Sequence, residues 1–126
     1  MYWCFHCYAL NDHPAGACAT CGEPVEAPAG LSRVESLVWA LGHPDGDRAV
    51  LAAGTLGRLK AAEAVPALRQ AVETRADIFL REEALRSLLA IVGVEALRPW
   101  LEEMSCGDSF TVRLMAQEAL SQNPHR

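Results

Sequence analysis

Four cysteines stand near the start of this chain in two matched pairs, Cys4/Cys7 and Cys18/Cys21, spaced C-x2-C-x10-C-x2-C. Two residues between cysteines allow a tight knuckle in which both sulfurs face one ion, and two knuckles joined by a short hairpin complete a tetrahedral sulfur site. The spacing predicts one metal ion held by Cys4, Cys7, Cys18 and Cys21. Zinc suits such a site; iron takes the same ligands, and His6 and His13 lie within reach as substitutes. With all four positions filled by protein, no place is left for water or substrate, so the metal is expected to be structural. Gly22 directly follows the second knuckle, where a residue without Cβ lets backbone N–H groups turn toward sulfur. Asn11, Pro14 and Gly16 supply turn chemistry between the knuckles. A redox role for C-x-x-C needs a βαβ context, and the sequence around these pairs has none.

The segment that carries the cysteines differs from the rest in charge. Residues 1–32 hold Asp12, Glu23 and Glu26 and no Lys or Arg, whereas all eleven basic residues fall in 33–126 against thirteen acids. Four thiolates around a divalent ion make the cysteine lobe more anionic still. Four aromatics, Tyr2, Trp3, Phe5 and Tyr8, crowd into it. A lobe of about 25 residues is too small to bury all four, so some are expected to meet the rest of the chain or a partner protein. The N-terminus lacks the basic and apolar regions of a signal peptide, and no apolar run is long enough to span a membrane. Five cysteines without an export signal point to a reducing cytoplasm.

A Pro/Ala/Gly-rich connector leads out of the lobe. The expected organisation is a metal-binding lobe over 1–25, a linker over 26–31 and a helical domain over 32–126. Ser32 with Glu35 forms a capping box, and Val34, Leu37, Val38 and Leu41 follow at helical spacing until Gly42-His43-Pro44 ends the helix. Trp39 lies off that stripe, and the metal lobe is well placed to cover it. From there the chain shows short helical patterns and no strand alternation. A shift of 32 residues superposes Ala52, Ala84 and Ala116, and likewise Leu56, Leu88 and Leu120. This predicts six helices in three pairs, about 32–60, 63–92 and 95–122, with small Ala positions for close approach and Leu positions filling the layer. Arg81 and Arg113 recur in register and are expected to bond turn acids such as Asp45, Asp77 and Asp108. Trp39 and Trp100 are expected in the core, Cys106 as a free thiol, and the polar "SQNPHR" end as a cap.

Two resemblances follow from these residues. The run Cys4-x2-Cys7-x3-Asn11-x6-Cys18-x2-Cys21-Gly22 resembles short bacterial zinc ribbons, and the Ran-binding-protein type of zinc finger. In the latter, the place of Tyr2 stacks on RNA bases in some members. Their accompanying arginines have no counterpart here, and Tyr8-Ala9 replaces the Thr-Phe of ubiquitin-binding members. The metal framework alone carries over. Leu80-Arg81, Val112-Arg113 and Ala-Val-Pro-Ala-Leu at 64–68 resemble HEAT-like repeats, especially the short bacterial kind seen in phycobilin lyases. That resemblance implies an all-α fold, a short α-solenoid of three helix pairs, and a role ranging over scaffolds, lyase subunits and nucleic-acid binders.

No enzyme class finds its parts: there is no phosphate-cradling glycine loop, nucleophile elbow or His–Glu metal pair. Glu82/Glu83 and Glu102/Glu103 read as solvated helix faces. The expectation is a zinc-binding protein-interaction adaptor, with Tyr2, Trp3, Phe5 and Tyr8 as candidate partner contacts and a homodimer through the same patch as a variant. Nucleic-acid binding is the competing class, but phosphates demand clustered cations and Arg48, Arg58, Arg69 and Arg86 are scattered.

Overall fold

The computed structural model describes residues 1–107 and 109–122. A two-stranded antiparallel hairpin, β1 (Tyr2–Trp3) with β2 (Leu10–Asn11), carries the first knuckle, and an Ala17–Pro24 bridge closes the second. The rest is an all-α solenoid of α1 (Arg33–Leu41), α2 (Gly46–Arg58), α3 (Val65–Thr74), α4 (Ile78–Met104) and α5 (Phe110–Gln122). α4 is broken at Gly93, whose φ of 84° and ψ of 165° separate an arm over 78–92 from one over 94–104. Only a residue without Cβ enters that region freely. With the break, the three expected pairs stand: α1 with α2, α3 with the first arm of α4, and the second arm with α5.

Local chemistry sets the helix starts. Ser32 Oγ accepts from the Glu35 N–H at 3.0 Å while Glu35 Oε1 accepts from the Ser32 N–H at 2.8 Å, a complete capping box. Asp45 caps α2, and Asp77 caps α4 through the N–H groups of Phe79 and Leu80. Pro66 opens α3, where its missing N–H costs nothing.

The 32-residue register is visible in the core. Ala52, Ala84 and Ala116 are all buried, as are Leu56 and Leu88. Leu120 departs from expectation: it is only half-buried, packed against the core on one side, and among the described residues no further helix pair covers its other side. Between α2 and the first arm of α4 the helices approach on small residues. A Cβ at Gly57 would lie 3.0 Å from Ser87 Cα, and the Ser87 hydroxyl donates to the Ala53 carbonyl at 2.7 Å.

The arginine ladder is real but its partners differ from those expected. Arg81 donates to the Arg75 carbonyl and, at 3.0 Å, to Ser109 Oγ, whereas Asp45 and Asp77 are occupied as helix caps. Arg75, which the repeat comparison passed over, reaches back to the Leu41 carbonyl and, at 3.3 Å, to that of His43. Arg113 donates to the Gly107 carbonyl at 2.9 Å. Guanidinium groups with several donors thus satisfy loop carbonyls from one repeat to the next. Asp108 lies outside the described residues, as do the last four residues of the "SQNPHR" end. Trp100 is buried as expected, donating to Glu73 Oε2 at 2.6 Å under the Arg69 guanidinium.

Candidate metal centre and its docking contacts

The two knuckles are built alike. Tyr8 N–H donates to the Cys4 carbonyl and Gly22 N–H to the Cys18 carbonyl, both at 2.9 Å. His6 N–H points at Cys4 Sγ and Thr20 N–H at Cys18 Sγ, both at 3.3 Å, and Glu23 N–H reaches Cys21 Sγ at 3.5 Å. Asn11 ties the halves together: its amide donates to Cys18 Sγ and the Ala9 carbonyl, and its Oδ1 accepts from the Ala19 N–H. Gly22 has φ of 80° as the turn requires, but the matching place in the first knuckle is Tyr8, with φ of 64°. A bulky residue in that region is strained, and something must hold it there.

All four sulfurs lie within 4.8 Å of one another, with Cys4–Cys21 and Cys7–Cys18 at 3.7 Å. Four sulfurs at about 2.3 Å from a central ion form a tetrahedron with edges of about 3.8 Å, so the cluster fits one metal ion. The proton affinities say the same. Cys18 is drawn down to about 6 by the Cys21 backbone N–H, the Asn11 amide and the Thr20 N–H. The Glu23 N–H also draws on Cys21, but burial and the crowding of Cys7, Cys4 and Cys18 outweigh it and push that thiol up to about 12. Cys7 is likewise raised: the Ala9 N–H lowers it, yet burial and the Cys18 sulfur prevail. One sulfur ionises readily and its neighbours then resist; a cation at the centre removes that resistance. His6 and His13 are exposed and outside this cluster of ligand atoms, as is Cys106.

The lobe is locked onto the first helix pair through Trp39. The indole lies between Phe5, stacked at 5.6 Å and 7°, and Tyr8, at 5.1 Å and 22°. Trp39 Nε1–H donates to the Phe5 carbonyl and Tyr8 O–H donates to the Trp39 carbonyl, both at 2.5 Å. Trp39 is therefore half-buried against the lobe rather than wholly in the helical core. Gly42 makes the contact possible, since a Cβ there would lie 2.6 Å from the Tyr8 hydroxyl. His43, fully buried, meets Trp3, Tyr8 and Trp39 edge-on at 4.5, 5.9 and 5.3 Å. Burial and the nearby Arg48 charge lower its pKa, so the ring is neutral, against a smaller opposing pull from Asp45. Of the four lobe aromatics, Trp3, Phe5 and Tyr8 contact these helical residues, while Tyr2 is 46% exposed.

The helical surface completes the arrangement. Residues 34–121 match the family of HEAT repeats. The chain belongs to the HEAT-repeat family. No curated protein and no solved structure was found to match it. The second helix of each HEAT pair exposes apolar side chains: Leu51 on α2, Phe79 on α4, and Phe110 and Leu114 on α5. No helix among the described residues is long and apolar enough to cross a membrane. Sequence reasoning missed His43, Arg75 and Gly42. A signal was available for two of them: Gly42 and His43 stand three and four residues after Trp39 and so share its end of the helix.

Proposed function

We propose that the chain is a non-catalytic protein-interaction adaptor whose N-terminal lobe, residues 1–25, is folded around one structural zinc on Cys4, Cys7, Cys18 and Cys21. The linker, 26–31, and the HEAT domain, 32–126, complete it. The observation that carries this reading is the interlock of Phe5, Tyr8 and Trp39, which makes the metal lobe and the repeats one surface. Each HEAT pair meanwhile leaves large apolar side chains on its second helix open to solvent. Exposed apolar groups on stacked repeats suit a protein partner. A four-sulfur shell leaves no ligand position for substrate, which argues against catalysis at the metal. Thiols that must stay reduced to hold zinc fit a cytoplasmic setting. A lobe without Lys or Arg argues against nucleic acid. Affinity purification of the tagged chain from its native cell, beside a Leu51→Glu/Phe79→Glu variant, tests the adaptor. A stoichiometric protein retained by the parent and lost by the variant is expected; no partner for either, with light scattering showing a monomer, refutes it.

A further inference from the structure

Between the lobe and the first HEAT pair runs a groove of about 420 Å³, open along one side. Trp3, Phe5, Val25, Leu31, Trp39 and Ala40 give it apolar walls. A volume of that order takes one large side chain with the backbone that carries it. Tyr2 lines the lobe side and stays 46% exposed, an aromatic surface at the edge of the groove. The charge around it is one-sided. The lobe wall comes from a segment, residues 1–32, that contains no Lys or Arg. Its three acids all fall at or beside lining positions: Glu26 lines the groove, Asp12 is two residues from Pro14, and Glu23 two from Val25. Two residues span at most about 7 Å, inside the Debye length at physiological salt. On the helical wall the same reach adds Glu35 and Asp47 against Arg33 and Arg48. Five acids therefore surround the groove against two bases, and among the described residues none of the seven is in an ion pair. The excess lies wholly on the lobe side, before the charge of a thiolate-bound metal is counted. Arg48, the one cation among the lining residues, stands on the α2 wall with Nη1 3.4 Å from Nε2 of buried His43.

We propose that this groove takes a segment of a partner protein in which one large apolar side chain is flanked by arginines. The apolar group lies against Trp3 and Trp39, and the guanidinium groups reach the lobe acids and the Tyr2 ring. Arginine suits both, because its planar fork pairs with carboxylates and stacks on aromatic faces. Arg48 repels a cation that enters on the helical side, so it fixes which edge of the groove the arginines take. The inference deepens the adaptor reading and rests on it, and it uses a surface that includes neither Leu51 nor Phe79. Because one wall belongs to the cysteine lobe, the groove exists only while that lobe is docked.

Calorimetric titration of the zinc-loaded full chain tests this. The probes are acetylated, amidated pentapeptides Gly-Arg-X-Arg-Gly with X as Leu, Phe or Trp, the same three with Glu in place of Arg, and Gly-Arg-Gly-Arg-Gly. At least one of the three apolar arginine peptides is expected to bind, at least tenfold more tightly than its Glu counterpart and than the peptide with central Gly. Its affinity should fall as salt rises. Glu26→Arg, at an exposed position, should weaken binding at least threefold, and Arg48→Gln, which removes a like charge, should strengthen it. Ser36→Trp, exposed on α1 and lining the groove, should fill it and abolish binding with the helical spectrum kept. Failure of all three apolar arginine peptides, or equal binding of their Glu counterparts, overturns the proposal. So does equal binding of the peptide with central Gly, which would reduce the effect to net charge. Binding that survives both Glu26→Arg and Ser36→Trp, or that weakens with Arg48→Gln, overturns it as well. If the peptides fail while a native partner still co-purifies with the parent and not with Leu51→Glu/Phe79→Glu, this inference falls and the adaptor reading stands.

Discussion

Tyr8 occupies a knuckle position whose counterpart is Gly22, so Tyr8→Gly separates metal binding from docking. The substitution removes the hydroxyl bond to the Trp39 carbonyl, about 1 kcal/mol, and the stack on Trp39, about 0.5–1.5 kcal/mol. Uncovering a half-buried ring costs roughly another 1–2 kcal/mol, taken below the value for full burial. Against these losses, relief of a left-handed backbone at φ of 64° returns about 1–2 kcal/mol. The unfolded-chain entropy of glycine takes back roughly half of one. The net expectation is a loss of about 1–4 kcal/mol, with the lost contacts all in lobe docking, because the Cys4 carbonyl still receives the residue 8 N–H. Elemental analysis should find the metal content unchanged. Tryptophan emission should shift to the red as the Trp39 sandwich opens, with the far-ultraviolet helix signal intact. If Tyr8→Gly leaves the emission unshifted and raises stability to denaturant, the strain outweighs the contacts and docking does not depend on this ring.

Other expectations follow from the same geometry. Protein purified without added metal should carry one zinc per chain, and chelation should unfold the lobe while leaving most circular dichroism at 222 nm, since the HEAT core is separate. Gly57→Ala should destabilise by about 1–3 kcal/mol through Ser87, whereas Gly54→Ala, whose Cβ meets only the flexible Glu83 carboxylate end and Arg58, should be neutral or gain up to about 1 kcal/mol in urea melts. Leu56→Ala and Leu88→Ala should each cost about 2–5 kcal/mol and half-exposed Leu120→Ala clearly less. His43 is held neutral in the folded chain, so below about pH 6.5 the unfolded chain binds more protons. Its contribution is complete above that pH and is lost as pH falls through the lowered folded value, and His43→Asn should flatten that part of the stability profile.

Periodic features were legible in the sequence because each repeat solves the same packing problem. Ala52/Ala84/Ala116 and Leu56/Leu88 mark the layers between helices, and a shift of the chain against itself reveals them without any knowledge of contacts. The cysteine cluster was legible for a related reason: coordination geometry is local, and two residues between ligands already dictate a knuckle. The joint between these parts was legible only in outline, from Trp39 off the apolar stripe and the surplus of lobe aromatics, because its other residues obey no period. Gly42 reads as a helix stop and is one, yet it also clears space for the Tyr8 hydroxyl. His43 reads as a turn residue and is instead the buried ring on which Trp3, Tyr8 and Trp39 converge. The arginine register was visible, but its partners were assigned by charge to Asp45 and Asp77 when those acids were already committed to helix N-termini. The carbonyls of the turns, which carry no sequence signature, received the guanidinium groups instead. What couples the metal lobe to the repeats is thus a set of backbone acceptors and ring faces. A further mark of it stands in the sequence: a tyrosine where the second knuckle has a glycine. A residue kept in a strained place is held by something on its far side, and here that is Trp39.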